Sequence, residues 1–165
     1  MRILVLNYEF PPIGGGAAPV SYELSKKYIE QGHVVDIVTM HYKGLKFFEK
    51  INELSVYRIN CLRQKKETCE AYEMLSFIIN AKKFLKKRLK KIKYDVCHTH
   101  FIIPTGIIAL WLKRKYNLNY IITAHGTDVP GYNPDRFRFL HNFTKPLLKS
   151  ICKNAKLIIS KEFLP

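Results

Sequence analysis

Arg2-Ile3-Leu4-Val5-Leu6, Tyr8-Glu9-Phe10-Pro11-Pro12-Ile13-Gly14-Gly15-Gly16 and Gly32-His33-Val34-Val35-Asp36-Ile37-Val38-Thr39 punctuate the first forty residues, and their order decides the fold. Two apolar runs of strand length bracket a segment, Pro19 to Glu30, that places Val20, Leu24 and Tyr28 on one helical face. Pro19 suits a first helical turn, where no N–H is needed, and Gly32 suits a stop. Strand, glycine loop, helix, strand predicts a βαβ unit. Its most permissive backbone lies where the first strand hands over to the first helix. A helix N-terminus offers unpaired N–H groups and a partial positive charge, so glycines there can seat a phosphate. A phosphorylated or nucleotide-type ligand is the expectation.

Two common phosphate motifs are excluded. Pro19 stands where the third glycine of G-x-G-x-x-G would fall, and no Gly-Lys-Ser/Thr follows the loop. Asp36 lies at the distance of a ribose-binding acid, but in mid-strand, so a nicotinamide dinucleotide is not expected.

Working outward, His41 to Lys50 reads as a polar, aromatic loop and Leu54 to Asn60 as a short edge strand. Ala71 to Ile92 is the longest helix. Met74, Phe77, Ile78, Ala81, Phe84, Leu85, Leu89 and Ile92 share a broad apolar arc that Arg88 interrupts, with Leu75 and Ile79 off it. The opposite side carries Lys82, Lys83, Lys86, Lys87, Lys90, Lys91 and Lys93. Asp95–Thr99 and Tyr120–Ala124 read as strands around a helix at Thr105–Tyr116. After a connection rich in Gly, Pro, Asn and Asp from His125 to Arg136, a helix from Phe137 to Cys152 and a strand at Lys156–Ser160 complete the chain.

Alternation of strands and helices predicts an α/β fold, a Rossmann-like doubly wound and mostly parallel sheet in one domain. Ligands of such sheets collect at the carboxyl ends of the strands. Gly14 to Gly16, His98 to Pro104 and His125 to Asp128 converge on that edge. His98 and His100, with His125 on a neighbouring loop, could bind a metal, but no further ligand can be nominated, and no metal is expected. His125-Gly126-Thr127-Asp128 can orient a histidine against a polar ligand, or serve only as turn chemistry with Asp128 capping local backbone.

Charge narrows the partners. The 165 residues hold 28 Lys and Arg against 13 Asp and Glu, a net +15, with 47% apolar residues. Such a chain attracts nucleic acid, anionic lipid or phosphorylated substrates. No aromatics interleave on the basic helical face, so nucleic acid is not expected, whereas a basic amphipathic helix suits an anionic membrane surface. With the helix hydrophobes committed to the core, that contact would be mainly electrostatic. The four cysteines lack C-x-x-C spacing, and Cys97 in its apolar run reads as a buried thiol. Neither a signal peptide nor a run of membrane-span length is read, which makes a cytoplasmic protein the expectation.

Together these residues resemble the N-terminal domain of retaining glycosyltransferases of family 4, which have the GT-B fold. The matching pieces are Phe10 to Gly16, Leu24 through Thr39, Asp95-Val96-Cys97-His98-Thr99-His100, Ile121 to Asp128, and Lys156 to Ser160. The resemblance implies transfer of a sugar from a UDP- or GDP-linked donor, with retention and without a further cofactor, to an acceptor sugar or lipid-linked glycan. Carried over residue by residue, it places Gly14, Gly15 and Gly16 at the donor diphosphate and His125 at the transferred sugar. Asp128 would shape the site, and His100 would line the acceptor side. Ala71 to Lys93 would match the basic helix of members that work on membrane acceptors, placing the protein on the inner face of the cell membrane. The family's Glu-x7-Glu pair is absent from this sequence. The resemblance therefore implies that 1–165 is a truncated, acceptor-side N-terminal domain, inactive by itself, with the C-terminal nucleotide-binding domain outside it. The rival reading is a non-catalytic basic α/β module that grips an anionic membrane surface or nucleic acid.

Overall fold

The computed structural model describes residues 1–126 and 145–160. In chain order the elements are β1 (Arg2–Leu6), α1 (Ala17–Glu30), β2 (Val34–Met40), β3 (Phe48–Ile51), β4 (Leu54–Ile59), α2 (Ala71–Arg88), β5 (Val96–His100), α3 (Thr105–Tyr116), β6 (Tyr120–Ala124) and β7 (Leu157–Ser160). Residues 145–154, between β6 and β7, form a further helix, α4. The described strands make one seven-stranded sheet of order β3-β4-β2-β1-β5-β6-β7. Every pairing is parallel except the β3–β4 hairpin. This is the doubly wound, Rossmann-like sheet that the alternation predicts. The winding reverses between β1 and β5, so the ligand-binding switch point lies at the carboxyl ends of those two strands.

Side chains of β1 alternate between the two faces of the sheet. Ile3 and Val5 join Val35, Ile37, Leu54 and Val56 under α1, with Tyr22, Tyr28 and Ile29 packed on them. Leu4 and Leu6 join Val38, Met40 and Tyr120 under α2, α3 and α4. On α2, Phe77, Ile78, Ala81 and Leu85 are buried, Met74 and Phe84 pack at their margin, and Leu89 and Ile92 do so just past the helix end, so the expected apolar arc faces this core.

Four local expectations are corrected. The loop expected at 41–50 ends in β3, whose pairing moves β4 from the edge to the interior of the sheet. The α2 helix stops at Arg88, which leaves Lys90 and Lys91 beyond its end. The α1 helix begins two residues before Pro19, at Ala17. It also buries a different face: Val20 is 47% exposed, while Ala17, Ala18, Ser21 and Ser25 are buried. The reason is polar. Ser21 and Ser25 hydroxyls donate to the Ala18 and Ser21 carbonyls (2.9 and 2.6 Å), and buried Asn7 donates from Nδ2 to Ser21 Oγ at 2.8 Å. Small side chains satisfied in this way let the start of the helix lie close against Asn7, at the end of β1.

Candidate active site

The chain leaves β1 through Asn7, and the next ten residues form one half of the switch point. Asn7 Oδ1 accepts the Glu9 N–H at 3.0 Å, which turns the Glu9 side chain toward the glycines. Gly14 has φ +95, a conformation that L side chains rarely adopt, and a Cβ there would lie 2.4 Å from Glu9 Cβ. Its N–H donates to the Lys66 carbonyl at 2.9 Å. Gly15 N–H donates to Glu9 Oε2 at 3.0 Å. Two of the three glycine N–H groups are therefore taken up inside the protein. Gly16 differs. It caps α1, and among the described residues nothing lies within 4 Å of where its Cβ would be.

The other half follows β5 and β6. His98, His100 and Thr123 share one face of the sheet by register, His100 pairing with Thr123. His98 Nδ1 lies 3.0 Å from the Tyr28 hydroxyl and Nε2 lies 2.8 Å from Thr123 Oγ1. A neutral ring has one proton, so one of these hydroxyls accepts it and the other donates. His100 Nδ1 lies 3.0 Å from His125 Nε2, and the rings stack at 5.2 Å. The His100 ring is fully buried, and its Nε2 has no hydrogen-bond partner among the described residues. Orphaned buried N–H groups are rare, which favours the proton on Nδ1, donated to His125. His125 itself is only partly buried.

Phe101, the first residue past β5, joins the two halves. Its φ of +74 is costly for a side chain of this kind, by roughly 1–3 kcal/mol. The cost is offset by a ring wedged 4.8 Å from Tyr8 and 4.7 Å from His125. Thr105 holds the turn, its hydroxyl donating to the carbonyls of His100 and Phe101. The structure thus brings the glycine loop, His100 and His125 to one edge of the sheet. His100, expected along the acceptor side, is buried and contacts His125. Asp128 lies outside the described residues. Tyr28, Thr123, Glu9 and Phe101 were not singled out by sequence reasoning. Period-two alternation from Ile121 through Thr123 to His125 was the available signal for Thr123 alone.

Burial holds both inner histidines neutral: His98 is lowered to about 4, by desolvation first and His125 second. His100 is also held well below the ordinary imidazole value, by desolvation first and then by His98 and His125. The sign follows from linkage. In the unfolded chain both protonate near pH 6.5, whereas the folded protein resists. Their contribution to stability is complete above about pH 6.5 and is lost as pH falls toward 4, at up to about 1.4 kcal/mol per pH unit for each. Urea unfolding followed from pH 7 to 4.5 should show this slope, and His98→Gln should remove about half of it. A slope unchanged in that variant would assign the acid sensitivity elsewhere.

Among the described residues, no group of three or more His, Cys, Asp or Glu side chains is placed to hold a metal ion. Cys97 is fully buried, and desolvation raises its thiol pKa far above the ordinary range.

The sequence profile of Glycosyltransferase Family 4 matches residues 14–160, from the glycine loop to the last strand. The chain belongs to glycosyltransferase family 4. Two relatives from Methanocaldococcus jannaschii, both described as uncharacterized glycosyltransferases, are 29% and 27% identical over 133 and 128 residues. Each match covers 78% of this chain but 32% and 33% of the relative, so the chain spans about a third of the length of these curated relatives. Among solved structures, it is similar to sucrose-phosphate synthase from Thermosynechococcus elongatus, with a TM-score of 0.72 at 17% identity. That likeness covers 95% of this chain and 41% of the synthase. MurG from Acinetobacter baumannii gives a TM-score of 0.52 at 15% identity, over 99% of this chain and 43% of the other. At such identities the likeness speaks to fold, and the fold is the Rossmann-like half seen in GT-B glycosyltransferases. In this family 4 chain the switch point between β1 and β5 is the candidate active site.

Proposed function

We propose that this chain is the N-terminal, acceptor-side half of a retaining glycosyltransferase that uses a UDP- or GDP-linked sugar. One observation carries the reading. At the switch point, the open helix N-terminus at Gly16 and the partly buried His125 stand on loops that a single aromatic bridge, Tyr8–Phe101–His125, ties together. The Gly16 and Ala17 N–H groups and the α1 dipole would stabilise the diphosphate as the glycosidic bond breaks and its charge grows. His125, oriented by His100, would hydrogen-bond the transferred sugar, with Asp128 shaping the same pocket. Departure of the diphosphate and attack by the acceptor hydroxyl would share one face of the sugar. Retention then needs no protein nucleophile, and no further cofactor is invoked. The remaining donor contacts would come from a second domain outside this chain. The test is transfer from a panel of UDP- and GDP-sugars by the whole protein, with residues 1–165 assayed alongside and expected to be inactive. Absence of transfer from every donor would overturn the reading.

We also propose that α2 rests on an anionic membrane surface, which would bring a lipid-linked glycan to the site from the cytoplasmic side. The exposed face of α2 supports this with more than charge. Tyr72, Leu75 and Ile79 are 47%, 57% and 47% exposed, and Lys83, Lys86 and Lys87 follow on the same face. Lys82 stands apart, half-buried over the Trp111 ring at 5.8 Å, with its pKa lowered by desolvation. No helix among the described residues is long and apolar enough to cross a membrane. Glu in place of Lys83, Lys86, Lys87 and Lys90 should weaken binding to phosphatidylglycerol vesicles by at least about a hundredfold, at ~1 kcal/mol per lysine lost. Cosedimentation unchanged by the four substitutions would remove the membrane from the proposal.

A further inference from the structure

The glycine loop carries a negative charge where an anion is proposed to bind. Glu9 is 9% exposed, its backbone is held by Asn7, and its carboxylate lies along Gly14 to reach Gly15 N–H. A side chain that merely filled an empty anion seat would be exposed and free to leave. Glu9 is built in: Cβ, Cγ and Oε2 all fall within 3 Å of where a Gly14 Cβ would be, so loop and side chain are shaped to each other. On the far side of the loop, the Lys66 carbonyl that takes Gly14 N–H is itself held by Arg63 Nη2 at 3.0 Å. With the Gly14 and Gly15 N–H groups engaged, those of Gly16 and Ala17, at the start of α1, have no partner within the described residues.

We infer that Glu9 is a positioning residue for anion binding: it spends the Gly15 N–H and braces Gly14, so that the loop presents Gly16 and Ala17 to the ligand. The inference rests on the proposed role of the loop in binding the donor diphosphate. It explains why a carboxylate is retained beside an anion site: geometric fixing outweighs a repulsion that solvent screens. It also divides the labour among the glycines. Gly14 and Gly15 shape the loop, and Gly16 meets the ligand.

Inorganic pyrophosphate, titrated at constant ionic strength into the isotopically labelled chain, separates the outcomes by amide resonance. In the wild-type chain, the Gly16 and Ala17 amides are expected to move and the Gly15 amide to stay. Glu9→Gln keeps an oxygen for Gly15 N–H and removes the charge, so pyrophosphate should bind as tightly or up to about fivefold more tightly. Glu9→Ala removes the brace and should weaken binding about fivefold or more, with faster hydrogen exchange at Gly15. Rescue by glutamine separates positioning from loss of folding. Undiminished binding by Glu9→Ala, with Gly15 now shifting like Gly16, would make Glu9 a competitor and overturn the inference alone. No shift at Gly16 or Ala17 in the wild-type chain would overturn the role of the loop in anion binding, and the inference with it.

Discussion

Gly16→Val, introduced into the complete enzyme, is expected to lower sugar transfer by at least about a hundredfold while leaving the fold intact. The two halves of that expectation have separate causes. Gly16 has φ −61 and ψ −23, ordinary helical values, and open space where a Cβ would go. Nothing among the described residues requires glycine at this position. A branched side chain would instead stand over the N–H groups of the helix start and hold a phosphate oxygen out of bonding distance. Gly14 offers the contrast. Gly14→Ala must place a Cβ at φ +95 and 2.4 Å from Glu9 Cβ, so its cost falls on folding, by roughly 1–3 kcal/mol of strain before any clash is relieved. Measuring kcat/KM for the donor beside the melting temperature for both variants tests the division. Full transfer by Gly16→Val would place the diphosphate elsewhere, and a melting temperature lowered as far as that of Gly14→Ala would make Gly16 structural.

Asp36→Ala is expected to destabilise the chain by about 3–5 kcal/mol, a loss of roughly 10 °C or more in melting temperature. Asp36 is fully buried in the amino-terminal half of β2, beside Leu4 of β1, whereas the site lies at the carboxyl ends of the strands. Its Oδ2 accepts from Arg2 Nε and Nη2 at 3.1 and 3.0 Å, from Arg88 Nη2 at 2.9 Å and from the Tyr94 hydroxyl at 2.7 Å. Arg88 also donates from Nε to the Tyr94 hydroxyl and lies over the Tyr57 ring at 4.1 Å. Removing the carboxylate strands two guanidinium groups, one of them largely buried, and unties the end of α2 from β1 and β2. Asp36→Asn keeps an acceptor and should lose less. Chemical unfolding decides the matter: a loss under about 1 kcal/mol for the alanine variant would mean that water replaces the carboxylate at low cost.

The Asp36 cluster marks where sequence reading stops. In the sequence, Asp36 is a charge in mid-strand at a ribose-like distance from the glycines, and Arg88 is a fault in an apolar arc. They are two ends of one buried ion pair 52 residues apart, and periodicity within a helix holds no information about such a partner. The buried face of α1 differs from the expected one for a related reason. Hydrophobicity places Val20 inward, but Asn7 on the neighbouring strand end makes Ser21 the better buried residue, because its hydroxyl finds a donor there. The β3 strand escaped because its four residues, Phe48 to Ile51, alternate without a clean apolar face and are stabilised by pairing with β4.

The local code was sufficient for the parallel strands and the helices, though not for β3: apolar runs of strand length, a lysine-backed apolar arc and glycines at a strand-to-helix junction each favour one backbone solution. That code determined an α/β chain with a glycine loop before α1 and histidines at the ends of β5 and near the end of β6. Only the tertiary structure decided which of these groups are available to a ligand. His100 is paired with His125, Gly14 with Lys66 and Gly15 with Glu9, and of the three glycine N–H groups only that of Gly16 has no partner among the described residues. Hydrogen-bond capacity is saturable, and a donor already paired inside the protein is lost to a substrate. Which donors are paired depends on residues brought together across the sheet, and sequence order does not specify those distances.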